Sequence, residues 1–373
     1  MNEVDMTAPA EARERTELSS WLRALVESGG SDLHIKVDSP PKLRVRGRLR
    51  RLEHAPLTVQ DTEALVDAIV PANRRERFDE RGEIDFAYSM PGVGRFRVNA
   101  FRQRGSCSIV MRQLRIGGPQ IAEIGLPPIV QGLAEEPRGL VLVTGPTGSG
   151  KTTTLASMIE HINRTRPVHI VTIEDPIEVL HPDKEASVNQ REVGQDTETF
   201  LTAIRAALRQ DPDVILIGEM RDTETVRAAL QAAETGHLVL STLHTVDATE
   251  TVNRVVDFFP AEQHHQVRVT LAGALRGIIS QRLVPSTDGG QTPAIEVLVN
   301  TGRIAERIVE AGATSEIPEV IAQGAYYGMQ SFDQHLLALV RDGAVTLEDA
   351  LGVASEPHDF QLMLQQAGVT PAA

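Results

Sequence analysis

The residues with the clearest chemistry are Gly145-x-x-x-x-Gly150-Lys151-Thr152, a complete phosphate-binding loop pattern. Gly145, Gly148 and Gly150 reach backbone conformations closed to other residues, so successive N–H groups can converge on phosphate oxygens. Pro146, Thr147 and Ser149 fill the loop, and Thr153 follows it. In this pattern Lys151 reaches the β- and γ-phosphates of a nucleoside triphosphate, and the Thr152 hydroxyl holds Mg²⁺. The apolar run Leu140 to Val143 predicts a buried strand before the loop, and Thr153 to Ile162 predicts a helix after it. Strand, glycine loop and helix in that order are the setting in which the motif binds nucleotide.

Three further strand ends carry groups that could act on a bound triphosphate, since ligands of parallel α/β sheets lie beyond the C-terminal ends of the strands. Val168 to Ile173 predicts a strand that ends in Glu174-Asp175-Pro176, two carboxylates followed by a turn. Val214 to Ile217 predicts a second, ending in Gly218-Glu219. Gly218 stands where such strands usually carry a magnesium-binding aspartate, which leaves Glu219 to orient or activate water. Asp222 reads as the N-cap of the next helix. Leu238 to Thr242 predicts a third strand, bracketed by His237 and His244. His244, at the C-terminal end, is placed to bond a γ-phosphate or a carboxylate, whereas His237 suits a subunit contact. Arg95, Arg97, Arg102, Arg104 and Arg112 precede the core, and phosphoryl transfer often uses an arginine finger. The residues alone do not select among them.

The elements that must position these groups fall into two domains. Residues 1–17 read as a disordered tail. Leu18, Trp21, Leu22, Leu25 and Val26 then recur at helical spacing up to Gly29-Gly30. Short strands follow, at Leu33 to Val37, at Leu43 to Leu49 with Leu43, Val45 and Leu49 on one face, and from Asp85 to Leu114, with a helix at Thr58 to Val70. Residues 18–116 thus form a small α+β domain, and residues 117–355 an α/β domain with a parallel sheet. Residues 356–373 read as a peripheral tail. The 373 residues carry a net charge of −14, which argues against a nucleic-acid motor and so against the helicase alternative. No stretch matches a signal peptide or the ~20 apolar residues of a transmembrane span, so a cytoplasmic location is expected. Cys107, the single cysteine, permits neither an intrachain disulfide nor a cysteine zinc cluster and reads as a quiet packing residue.

On these residues the chain resembles the secretion ATPase superfamily, of the additional-strand RecA-like class, and within it the type IV pilus retraction ATPases. The resemblance runs nearly end to end. Ser31 to Ile35, Arg44 to Arg48 and Arg95 to Ala100 resemble that family's N-terminal PAS-like domain. The loop at 145–151, the acidic box at 172–178, the runs 188–193 and 211–222, Ala232 to His237, and the histidine box Ser241 to Thr245 follow in family order. Gly218 before Glu219 is usual there. The stretch Arg303 to Glu310 keeps the apolar spacing and final glutamate of a C-terminal retraction motif but not its text. The pilus-extension and type II secretion ATPases carry a larger N-terminal region and commonly four zinc-binding cysteines, which this chain does not match. The resemblance implies a homohexameric ring at the inner face of the cytoplasmic membrane, acting on the pilus platform protein. It implies Glu219 and Glu174 as catalytic carboxylates, Glu174 also at Mg²⁺, His237 and His244 in support, and Arg104 and Arg112 as fingers.

Overall fold

The computed structural model describes residues 10–369 and divides between Arg115 and Ile116 into two compact units. The first unit is built on a six-stranded antiparallel sheet in the order β3-β2-β1-β6-β5-β4. Its strands are β1 (Asp32–Lys36), β2 (Lys42–Val45), β3 (Arg48–Arg51), β4 (Glu83–Met90), β5 (Gly94–Gln103) and β6 (Ser106–Gln113). The accompanying helices are α1 (Ala10–Glu27), α2 (Val59–Ile69) and α3 (Arg75–Arg81). Leu18, Trp21, Leu22 and Leu25 of α1 are buried, as the helical spacing requires, in one core with Ile35, Phe78, Phe96 and Met111. Cys107 is in that core too, and burial pushes its thiol up to about 11, well away from thiolate reactivity.

Two expectations for this region are corrected. The tail expected over residues 1–17 is helical from Ala10, in a run rich in the good helix formers alanine, glutamate and arginine. Residues 1–9 lie outside the described residues. The single strand expected over Leu43 to Leu49 is a hairpin. Val45 pairs with Arg48, and both intervening residues take positive φ, 49° at Arg46 and 76° at Gly47, as a two-residue hairpin turn demands. The turn reverses the chain, and Leu49 emerges exposed while Leu43 and Val45 stay buried.

The second unit holds a seven-stranded sheet in the order β9-β8-β10-β11-β7-β12-β13. Here β7 is Gly139–Thr144, β8 His169–Glu174, β9 Ser187–Glu192, β10 Val214–Ile217, β11 Leu238–Leu243, β12 Leu275–Pro285 and β13 Gln291–Val299. Only β13 runs antiparallel to its neighbour. Strand β11 lies between β7 and β10, the additional strand that separates the phosphate loop from the Glu219 strand. Alternate residues of β7 serve opposite faces. Leu140 and Leu142 join one core and Val141 and Val143 the other, which is why this strand reads as an unbroken apolar run. The flanking helices are α4 (Ile129–Ala134), α5 (Lys151–Thr165), α6 (Phe200–Ala207), α7 (Thr223–Glu234), α8 (Ala248–Asp257) and α9 (His264–Ala274). Beyond the sheet come α10 (Gly302–Val309), α11 (Ile317–Ala322), α12 (Phe332–Arg341), α13 (Leu347–Val353) and α14 (Pro357–Gln366). In α10, Ile304 and Ile308 are buried one helical turn apart. The peripheral tail expected from residue 356 is instead an integral helix. Phe360 and Leu364 of α14 pack with Phe332, Leu336 and Val345, and with Val284 of β12.

Candidate active site

The site begins where β7 ends. Gly145 takes φ 142°, and a Cβ there would lie 2.3 Å from the Gln281 carbonyl oxygen, so the loop can pass β12 only as glycine. Gly150, at φ 92°, caps α5. That helix starts at Lys151, two residues ahead of the expected Thr153, and puts Lys151 and Thr152 in its first turn. Lys151 Nζ donates to the carbonyls of Gly145 at 2.7 Å and Pro146 at 3.0 Å. Burial lowers its pKa, and the Glu219 carboxylate partly opposes that.

A cleft of about 670 Å³ opens over this loop, walled by Thr147, Gly148, Gly150, Lys151, Thr152 and Thr153 and by the strand ends bearing Glu174, Glu219 and His244. Glu174 closes β8 and accepts from Thr172 Oγ1 at 2.6 Å and Gln190 Nε2 at 3.1 Å. Burial raises its pKa despite these bonds, because a desolvated carboxylate is costly. Glu219 follows β10, with Arg221 Nη2 2.5 Å from one oxygen and His244 Nε2 3.5 Å from the other. The peptide before it is pinned. Gly218 N–H donates to Ile173 O at 2.8 Å, and Thr242 Oγ1 donates to Gly218 O at 2.7 Å. A Cβ on Gly218 would sit 3.3 Å from Ile173 O, so the approach of β8 and β10 leaves little room for the usual aspartate.

Asp175 and Glu178 also line the cleft. Asp222 caps α7, accepting from Thr225 N at 2.8 Å, as its position in the sequence indicates. The structure does not bring His237 into the cleft: it precedes β11 at the far end, and its Nδ1 lies 3.0 Å from the Ala232 carbonyl at the end of α7. Arg104 and Arg112 belong to the first unit. Arg104 takes φ 52° in the turn between β5 and β6, and Arg112 Nε donates to Asp32 at 2.8 Å. Sequence reasoning assigned no role to Arg221, Gln190, His181 or Gln281. The first two lie within quoted motifs. Nothing local marks the others, whose neighbours come from distant segments.

The donor set suits Mg²⁺. Thr152 and Glu174 offer oxygen, and among the described residues no cluster of three His, Cys, Asp or Glu forms a complete protein cage. A hard cation held by one or two protein oxygens and by substrate phosphates needs no such cage.

Known proteins resemble this chain in sequence and in fold. The family model described as type II/IV secretion system protein matches residues 14–347. The chain belongs to that family. Among its relatives, the type IV pilus retraction ATPase PilT of Pseudomonas aeruginosa is 44% identical over 92% of this chain and 100% of its own length. A twitching motility protein of Neisseria gonorrhoeae is 45% identical over 83% of each chain. The crystal structure of the pilus retraction motor PilT with bound ADP superposes with a TM-score of 0.84 at 45% identity, covering 92% of this chain and 98% of that one. The fold is therefore the family's RecA-like ATPase core with a smaller N-terminal domain.

Proposed function

We propose that the cleft binds ATP with Mg²⁺ and hydrolyses it to power retraction of type IV pili. The observation that carries this is the Glu219 carboxylate, held by Arg221 and His244 on the same cleft as a complete phosphate-binding loop. The amides of the loop and Lys151 hold the β- and γ-phosphates, Lys151 exchanging the Gly145 and Pro146 carbonyls for phosphate oxygens. Glu219 accepts a hydrogen bond from water and aligns it for in-line attack, with Glu174 assisting. His244 steadies Glu219 from the other side. Thr152 and Glu174 would hold Mg²⁺, which when bound neutralises phosphate charge.

The similarity to pilus retraction motors supports the direction of work. The same reading, as the resemblance to pilus retraction ATPases implies, places the chain in a homohexameric ring at the cytoplasmic face of the inner membrane, with the pilus platform protein as partner. Arg104 and Arg112 are the finger candidates in the assembled ring. Turnover of Arg104→Ala and Arg112→Ala selects between them. Deleting the gene tests the motor's direction. Excess pili that do not retract are expected, whereas loss of pili would overturn retraction in favour of an assembly or type II secretion ATPase.

A further inference from the structure

Resting on the ATPase reading, we infer that Gln281 is a positioning residue that sets the conformation of the phosphate-binding loop and so its affinity for nucleotide. Gln281 lies on β12, 1% exposed, beneath the loop. Its Nε2 donates to the Ser149 carbonyl, and its Oε1 accepts from Thr154 Oγ1 at 2.8 Å. Both partners flank the segment that carries Lys151 and Thr152. One buried amide therefore ties the loop to the first turn of α5. The amide can face only one way, because the Ser149 carbonyl needs a donor and the Thr154 hydroxyl then gives its hydrogen to Oε1.

The contact is close on every side. The Gln281 carbonyl would lie 2.3 Å from a Cβ on Gly145, and its amide nitrogen 3.0 Å from one on Gly150. Two of the loop's glycines are thus matched to this side chain and its backbone. The strand is itself anchored at the residues on either side. Ser280 Oγ accepts from Thr144 Oγ1 at 2.9 Å. Arg282 stacks 4.0 Å over the Phe332 ring and donates to the Val353 carbonyl at 2.9 Å. Neighbours on a strand face opposite ways, so the clamp of Arg282 on α12 and α13 holds Gln281 toward the loop. When phosphate takes Lys151 away from Gly145 O and Pro146 O, Gln281 remains to keep the Ser149 carbonyl turned away from the bound anion.

The test is steady-state ATP hydrolysis by the full chain with Gln281→Met, a near-isosteric change that removes both hydrogen bonds. A KM for ATP raised roughly tenfold, with kcat changed less than about twofold, is expected from the loss of two bonds that shape the binding loop. Adding Thr154→Val removes the hydroxyl orphaned by the first change. It should recover part of the lost thermal stability, the Ser149 carbonyl still lacking its donor, but leave KM raised. A folded Gln281→Met protein with wild-type KM, or a double variant whose KM returns to wild type, would overturn the inference and leave Gln281 a packing residue. Should Gln281→Met fail to fold, Thr154→Val alone decides: freeing Oε1 should raise KM about threefold, and an unchanged KM refutes the role. Failure of the ATPase reading is distinct, since the wild-type chain itself would then not hydrolyse ATP.

Discussion

Glu296 offers a sharp test of the electrostatics around the site. It lies on β13, buried, and accepts from the Ala248 N–H at 2.8 Å, at the start of the helix that follows the His244 strand. Desolvation, with the nearby Asp247 and Asp333 charges, pushes its pKa from 4.5 to about 7, against the Ala248 hydrogen bond and the pull of Arg282. The folded state therefore holds this proton more tightly than the unfolded chain. The stability it confers is complete below pH ~4.5 and is lost as pH rises through ~7. At about 1.4 kcal/mol per pH unit, the loss amounts to roughly 3 kcal/mol. Glu296→Gln keeps an oxygen for the Ala248 amide and has no charge to desolvate. It should match wild type near pH 5 and exceed it by pH 8, with a melting temperature higher by about 10 °C for a unit of this size. Chemical denaturation of both proteins from pH 5 to 8, taken as a difference curve, cancels the titrations they share. A flat difference, or a variant less stable at pH 8, would refute the reasoning.

Lys151→Ala should fold normally by circular dichroism and lose ATP hydrolysis by roughly a hundredfold or more, because it removes a charge aimed at the transferring phosphate. Gly145→Ala should cost about 1–3 kcal/mol in thermal unfolding and weaken nucleotide binding, since its Cβ has the Gln281 carbonyl 2.3 Å away. His237→Ala should keep kcat within about twofold of wild type, because its ring faces the end of α7 rather than the cleft. A tenfold loss would return it to the catalytic set.

The phosphate loop was legible because its strand, turn and helix are contiguous and each is spelled by local residue type. The ends of β8, β10 and β11 were legible for a related reason. Fully buried parallel strands read as apolar runs, and the polar residue that follows each run lines the cleft. Strand β9 was not read as a strand, because Ser187–Glu192 pairs only with β8 at the sheet edge and carries polar residues. The hairpin at Arg46–Gly47 was missed because alternation continues through its turn, and Arg-Gly is a weaker turn signal than Asn-Gly. Gln281 carries no sequence signal at all. Its role exists only because β12 lies beside β7, so that a glutamine meets a loop 132 residues earlier in the chain.

The central claim is that Glu219, at the end of β10, aligns the attacking water over a nucleotide held by the loop. The direct measurement is ATP binding and single-turnover hydrolysis by Glu219→Gln. ATP affinity should stay close to wild type while the hydrolysis rate falls by roughly 10²–10⁴-fold, the range for loss of a positioned base. Hydrolysis at the wild-type rate would contradict the claim and move the catalytic role to Glu174.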